Sequence, residues 1–157
     1  MKFWQKALIG VVGVLLLGNA SGGVTFLSIE NWYATLERPP GTPPNGVFGP
    51  VWTVLYAMMG YALALIWHLP KETEGKRCAL KWFGIQMVIN LMWTPAFFGF
   101  HRPGIALVII VLLLVSIGIT IVRFLPLSRW AGWLLVPYFA WVGYATYLNA
   151  GFWWLNR

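Results

Sequence analysis

The stretch GIALVIIVLLLVSIGITIVRFL, residues 104–125, is apolar almost from end to end. Its only charged side chain is Arg123, which lies close to the C-terminal end. A bilayer core of about 30 Å is crossed by an α-helix of about 20 apolar residues. The stretch therefore predicts a membrane-spanning helix, and this prediction decides the fold class.

Four further stretches have the length and composition of membrane spans, although polar residues interrupt two of them. Together with the first, the predicted spans are residues 7–29, 47–69, 80–100, 104–125 and 130–155. Because the connections are short, consecutive helices are predicted to pack side by side and antiparallel. The expected fold is an all-α membrane protein, a five-transmembrane-helix bundle that forms a single domain over residues 1–157.

Composition agrees with a membrane protein and disfavours other classes. The chain is 59% hydrophobic and only 10% charged, whereas soluble domains are about 25% charged. Its net charge of +7 comes from cations that stand singly beside apolar runs, a pattern typical of membrane flanks and not of a nucleic-acid-binding patch. The single cysteine, Cys78, excludes an internal disulfide and a multi-cysteine metal site.

The cations also predict an orientation. Five spans leave most Lys and Arg residues on the side of the N-terminus, and only Arg38, Arg102 and Arg157 on the other side. By the positive-inside rule the N-terminus lies inside, as expected of a multi-pass protein of the bacterial cytoplasmic membrane.

The first span has a second interpretation. Lys2 and Lys6, the apolar run that follows them and NASGG at residues 19–23 also resemble a secretory signal with its cleavage site. Apolar character resumes in VTFLSI, residues 24–29, which gives the stretch a spanning length. We favour a retained helix, and N-terminal sequencing of the mature protein distinguishes the two.

Acid–base and metal chemistry have no candidate residues inside the predicted spans. The four acids, Glu30, Glu37, Glu72 and Glu74, all fall in connections, and neither histidine lies in the middle of a span. Since proton-coupled carriers usually keep an ionisable residue inside the membrane, an ion-driven carrier is disfavoured. We expect no metal site and no required cofactor.

Uncharged polar side chains do occur inside the spans. Gln86, Asn90 and Thr94 recur every four residues, so they share one face of the third helix, beside Trp93 and Phe97. An amide in lipid is costly unless it is hydrogen-bonded, so this face is predicted to turn into the bundle.

The fifth span offers a second such surface, which includes Trp141, Ala145 and Leu148. Interhelical hydrogen bonding is one explanation of the polar residues on both helices. The other is a pocket with aromatic walls and a few hydrogen-bond donors, which suits a large, flat, mostly apolar ligand.

Three segments in this order resemble the TspO/MBR family of tryptophan-rich sensory proteins and translocator proteins, the peripheral-type benzodiazepine receptors. They are WYATLERPPGTPPNGVFGPVWTVLY at residues 32–56, QMVINLMWTPAFF at 86–98 and VPYFAWVGYATYLNAGFWWLN at 136–156. The resemblance implies five transmembrane helices, commonly a homodimer, and the binding of porphyrins and haem-like tetrapyrroles. Members also bind sterols and synthetic benzodiazepine-type or isoquinoline ligands.

The resemblance also implies site residues. Positions that match ligand-binding residues of the family are Trp32, Tyr33, Pro43, Pro44, Trp52, Asn90, Trp93, Trp141 and Ala145. To these the polar and aromatic surfaces described above add Gln86, Phe97 and Leu148. Some bacterial members degrade protoporphyrin in light, and tryptophans at the positions of Trp52 and Trp141 are implicated. Those two would be the catalytic residues if this chain has the activity.

The loop RPPGTPPNG, residues 38–46, cannot extend either neighbouring helix, because proline lacks the amide donor and fixes φ. It is predicted to be a rigid connector or a preformed lid over the pocket. Gly41 stands where the family often has an aromatic residue, so the lid is expected to be looser. The cholesterol motif of animal members is incomplete, because no cation follows Tyr147 until Arg157.

Three functions stay open on the sequence. The favoured one is a membrane receptor or sensor that binds tetrapyrroles such as protoporphyrin IX or haem and regulates their transport or disposal. The alternatives are light- and oxygen-dependent porphyrin degradation and passive transport of tetrapyrroles or sterols. The physiological ligand, the downstream partner and the oligomeric state do not follow from the sequence.

Overall fold

A computed structural model describes residues 1–157 and contains helices but no β-strand, which confirms the all-α fold class. The six α-helices are α1 (Phe3–Ile29), α2 (Phe48–His68), α3 (Lys76–Thr94), α4 (Pro103–Phe124), α5 (Arg129–Leu134) and α6 (Val136–Leu155). Of the five predicted spans, the third corresponds to α3 with the turn after it, and the fifth to α5 and α6 together.

The exterior of the bundle suits a lipid environment. Phe26, Leu27 and Val122 are among the large apolar side chains that are more than half exposed. Three helical stretches are long and apolar enough by themselves to cross a membrane, namely Phe3–Ile29, Asn45–His68 and Pro103–Phe124. The other two long helices fall short of this, because α3 begins with basic residues and α6 is rich in tyrosine and tryptophan.

Prolines reshape the ends of two predicted spans. A wide turn of π-helix, Pro95–Gly99, follows α3, and the amide of Phe100 donates to the carbonyl of Pro95 across 2.8 Å. The fifth span is not one helix as predicted, since a turn at Leu135 separates α5 from α6. The physical reason is Pro137, which has no N–H to donate to the carbonyl four residues before it.

Helices α1 and α2 diverge from one point of backbone contact. A Cβ added to Gly60 would lie 2.4 Å from the carbonyl oxygen of Gly10, so only glycine fits on either side. Two turns further along α1, the ring of Tyr56 packs against Gly18. At Gly22 nothing lies within 4 Å of an added Cβ. The gap between the helices therefore widens towards the C-terminal end of α1.

We call residues 30–47 the first loop, and the end of the bundle that carries it the first-loop end. The loop is tied to α6 by polar contacts. The Tyr147 hydroxyl donates to the carbonyl of Pro40 at 2.9 Å, and Tyr144 donates to that of Gly41. The Asn156 side chain pairs with both the amide and the carbonyl of Glu37, at 2.9 and 3.0 Å. The loop is thus held against one helix along much of its length.

Candidate functional site

The gap between α1 and α2 opens into a cavity of about 300 Å³ at the first-loop end. This volume is at the lower end of the range of about 300–1,000 Å³ for small-molecule sites. The buried walls come from α2, α3, the π-turn and α6, and the exposed side chains of Phe26 and Glu30 lie on the opposite side. We call this exposed side, between the C-terminal half of α1 and the start of α2, the mouth.

Aromatic rings form the walls of the cavity. The Trp52 indole stacks on the Tyr56 ring with 5.3 Å between centroids and 28° between planes, and the Trp93 centroid is 6.5 Å from that of Trp52. On the α6 side, the Trp141 indole meets the Phe48 ring edge-on at 6.3 Å. Such flat surfaces favour a ligand that is itself flat and apolar, since stacked and edge-on pairs stabilise beyond the area they bury.

Few polar groups reach the cavity. The indole N–H of Trp141 and the side-chain oxygen of Asn45 are buried without a hydrogen-bond partner. The side-chain amide of Asn19 donates to the carbonyl of Leu15 in its own helix at 2.8 Å. Glu30 is the only acidic or basic side chain in the lining. No three His, Cys, Asp or Glu side chains come together in the chain as a potential metal site.

The polar face predicted on α3 is divided, because Thr94 lines the cavity whereas Gln86 and Asn90 lie behind its wall. Tyr56 donates to the Asn90 oxygen at 3.2 Å, the Asn90 amide donates to the Tyr138 hydroxyl at 2.8 Å, and that hydroxyl donates to the Gln86 oxygen at 2.9 Å. All four side chains are buried, and only Tyr56 lines the cavity. We call these residues the polar chain. It joins α2, α3 and α6, so the structure gives Gln86 and Asn90 the interhelical hydrogen bonds that were one of the two explanations above.

A second, much smaller cavity of about 30 Å³ adjoins the first. Tyr33, Phe97 and Leu148 line it, and Trp93 and Ala145 are common to both cavities. Tyr33 is only 1% exposed and its hydroxyl has no partner. Burial raises the pKa of this phenol, and the Arg38 guanidinium above the ring partly opposes the rise. Tyr33 is therefore a neutral packing residue at physiological pH.

Three loop residues from the predicted site line neither cavity. Trp32 stacks on the imidazole of His101 with 4.3 Å between centroids and 18° between planes. Pro43 and Pro44 lie in the first loop outside both linings. Of the twelve predicted positions, the larger cavity brings together Trp52, Trp93, Trp141 and Ala145.

Sequence reasoning missed the contribution of α1. This helix and the residue that follows it, Glu30, supply much of the lining of the larger cavity, and the helical residues are Gly18, Asn19, Gly22, Thr25, Phe26 and Ile29. A signal was present, because NASGG places small and polar residues in the middle of an apolar helix. Small residues leave room for a cavity next to the neighbouring helix just as they allow close helix packing.

Comparison with known proteins places the chain in one family. The model of the TspO/MBR family matches residues 10–155. A "Tryptophan-rich protein TspO" of Chlorobaculum tepidum is 39% identical over 139 residues, 88% of either chain. The human "Translocator protein" is 40% identical over 123 residues, which cover 78% of this chain and 73% of the human one. A "Tryptophan-rich sensory protein" of Cereibacter sphaeroides is 37% identical over 123 residues, 78% of this chain and 75% of the relative.

Proposed function

Because the chain belongs to the TspO/MBR family of integral membrane proteins, we propose that it is a receptor or sensor for tetrapyrroles and related flat hydrophobic ligands. The ligands meant are protoporphyrin IX or haem, with sterols and benzodiazepine-type or isoquinoline compounds as further candidates. Binding would regulate the transport or disposal of the tetrapyrrole. A homodimer with its N-termini inside a bacterial cytoplasmic membrane is part of the same proposal.

The observation that carries the proposal is the aromatic lining of the larger cavity. Trp52, Trp93 and Trp141 surround one space with Tyr56 and Phe98, and no Lys, Arg or His lies among them. A macrocycle would stack on these indoles and bury its apolar faces. Both the name "sensory protein" of one relative and the lack of ionisable groups deep in the cavity support sensing over ion-coupled transport.

The direct test is a titration of the detergent-solubilised protein with protoporphyrin IX, followed by the Soret absorbance of the porphyrin. We expect Trp52→Phe and Trp141→Phe each to weaken binding about three- to tenfold, because a phenyl ring offers less stacking area than indole and a whole aromatic pair contributes about 0.5–1.5 kcal/mol. Trp130→Phe is the matched control, because Trp130 is 78% exposed and lines neither cavity. Equal affinity in all four proteins would contradict the site.

Light-dependent porphyrin degradation is the second candidate, because both implicated indoles, Trp52 and Trp141, line the same cavity. Illumination of the same complexes in air distinguishes the two functions. If the protein only binds porphyrin, the Soret absorbance decreases at the same rate as that of free porphyrin. If the protein degrades porphyrin, the Soret absorbance decreases faster.

A further inference from the structure

The cavity carries a single charge, and it stands at the mouth. Glu30 directly follows the last residue of α1, Ile29, and its side chain is exposed. No basic side chain is found anywhere in the lining to neutralise it. On the sequence alone Glu30 falls in a connection and has no assigned role, because none of the three segments that carry the resemblance contains it.

The other charged side chains of the first-loop end, and the imidazole of His101, lie outside the cavity lining. Arg38 is the one cation of the first loop, and its guanidinium lies 5.4 Å from the centroid of the buried Tyr33 ring. The Arg157 guanidinium stacks on Trp154 at 3.6 Å, and His101 stacks on Trp32. None of these side chains lines the cavity, and neither does Arg102, so the Glu30 carboxylate is the one full charge among the lining residues that an incoming ligand meets.

The helix ends at the mouth do not reverse the negative electrostatic potential that Glu30 creates there. The C-terminus of α1 contributes about half a negative charge next to Glu30, and the N-terminus of α2 contributes about half a positive charge on the other lip. These two contributions offset each other, so the carboxylate decides the local potential. A helix C-terminus is also the position at which an acidic side chain is least favoured, because the two negative charges repel.

We propose that Glu30 makes the cavity selective for charge. The cavity binds flat apolar rings, and Glu30 weakens the binding of a ring whose polar edge carries carboxylates relative to the same ring with a neutral edge. A flat ring that buries its apolar faces against Trp52 and Trp141 leaves its polar edge at the mouth, beside the carboxylate. The proposal rests on the proposed function, because it assumes that ligands occupy this cavity.

The experiment compares two ligands with the same ring, protoporphyrin IX with its two carboxylates and its uncharged dimethyl ester, in a neutral detergent at low ionic strength. The measured quantity is the ratio of their dissociation constants, free acid over ester. In Glu30→Gln we expect this ratio to fall about three- to tenfold, the size of one charge–charge repulsion across partly solvated space. Glu30→Lys reverses the charge and is expected to lower the ratio further.

Glu37→Gln is the matched control, because Glu37 lies in the same loop with an exposed side chain and outside the cavity lining. Salt provides a measurement that needs no variant at the site. Raising ionic strength shortens the screening length from about 10 Å at 0.1 M to about 3 Å at 1 M, so the wild-type ratio should move towards that of Glu30→Gln.

The outcomes separate the two proposals. If the wild-type protein binds neither porphyrin, the proposed function fails. If it binds both but the ratio is the same in wild type, Glu30→Gln and Glu30→Lys, the charge selection is overturned and the cavity assignment stands. A ratio that falls equally in Glu37→Gln also overturns it, because the effect would then belong to the net charge of the first-loop end. Should one Glu30 variant fail to fold, the other variant and the salt series decide.

Discussion

At the scale of single residues, the Tyr138 hydroxyl has the most consequential position. It lies in the middle of the polar chain, accepts from Asn90 and donates to Gln86, and its side chain is fully buried. A buried amide that loses its partner costs more than the hydrogen bond itself contributed, because it cannot turn to water. The Gln86 amide nitrogen is already without a partner, so the oxygen of the same group depends on Tyr138 alone.

Tyr138→Phe is therefore expected to destabilise the protein by about 1–3 kcal/mol, since it strands groups on both Asn90 and Gln86. Tyr56→Phe should cost less, about 0.5–1.5 kcal/mol, because it removes one donor at the end of the polar chain. Reversible unfolding in mixed detergents measures both, with the half-exposed Tyr61→Phe as the neutral reference. If Tyr138→Phe were no worse than Tyr56→Phe, the polar chain would not be what joins the three helices.

At the scale of helices, the cavity results from the way α1 and α2 meet. The backbone contact between Gly10 and Gly60 fixes a short distance between the two helices at that point. Two turns further along α1, the Tyr56 ring packs against Gly18 and holds the helices further apart. No contact then closes the gap at Gly22. The cavity thus depends on glycines at two different places, where one permits contact and the other leaves space.

Gly60→Ala is expected to destabilise the protein by about 1–3 kcal/mol, because the new Cβ would meet backbone atoms of Gly10 and Val11 that cannot rotate away. Gly13→Ala is the control on α1, since an added Cβ there has nothing within 4 Å. It should be neutral, or stabilise by up to about 1 kcal/mol through higher helix propensity. The unfolding midpoint in detergent, followed by far-UV circular dichroism, tests both substitutions. Equal midpoints for the two variants would show that the Gly10–Gly60 contact does not determine the stability of the bundle.

At the scale of the whole molecule, the length of the apolar stretches predicted the fold class, and the resemblance to the family predicted four residues of the larger cavity. The spans could be predicted because about 20 apolar residues leave few alternatives to a membrane helix. The break at Leu135 was missed because composition remains apolar across it, and only the missing N–H of Pro137 interrupts the helix. The role of α1 was missed because small residues such as Gly18 and Gly22 indicate close helix packing as readily as a gap between helices.

The first loop shows why the positions of its residues relative to the cavity could not be predicted from the sequence. Its prolines predicted stiffness, yet Pro43 and Pro44 lie outside both cavity linings, and the loop reaches the larger cavity only at its two ends, through Glu30 and through Asn45 and Gly46. Gly41 has φ +82°, a left-handed conformation that an aromatic residue would adopt only with strain. Replacing Gly41 with tryptophan would therefore change the backbone as well as the lid, and the loop is better tested through the contacts that hold it.

Those contacts converge on α6, which also supplies Trp141 and Ala145 to the cavity wall. Removing the Tyr144 and Tyr147 hydroxyls together, as Tyr144→Phe with Tyr147→Phe, frees the carbonyls of Gly41 and Pro40 but keeps both rings. Two such bonds contribute about 1–3 kcal/mol, so a loop that covers the mouth should open more often, and a bound porphyrin should dissociate about tenfold faster. Dissociation is measured by transfer of the porphyrin to excess empty lipid vesicles.

Thr146→Val is the matched control for this double variant. It removes a hydroxyl from the same helix, but that hydroxyl donates to the carbonyl of Val142 within α6 and does not contact the loop. A faster dissociation that is confined to the tyrosine variant would assign the loop to gating, because the cavity wall is unchanged in both proteins. Unchanged dissociation in the tyrosine variant, together with an unchanged rate in Asn156→Ala, which releases the other end of the loop at Glu37, would leave the loop as a rigid connector between α1 and α2.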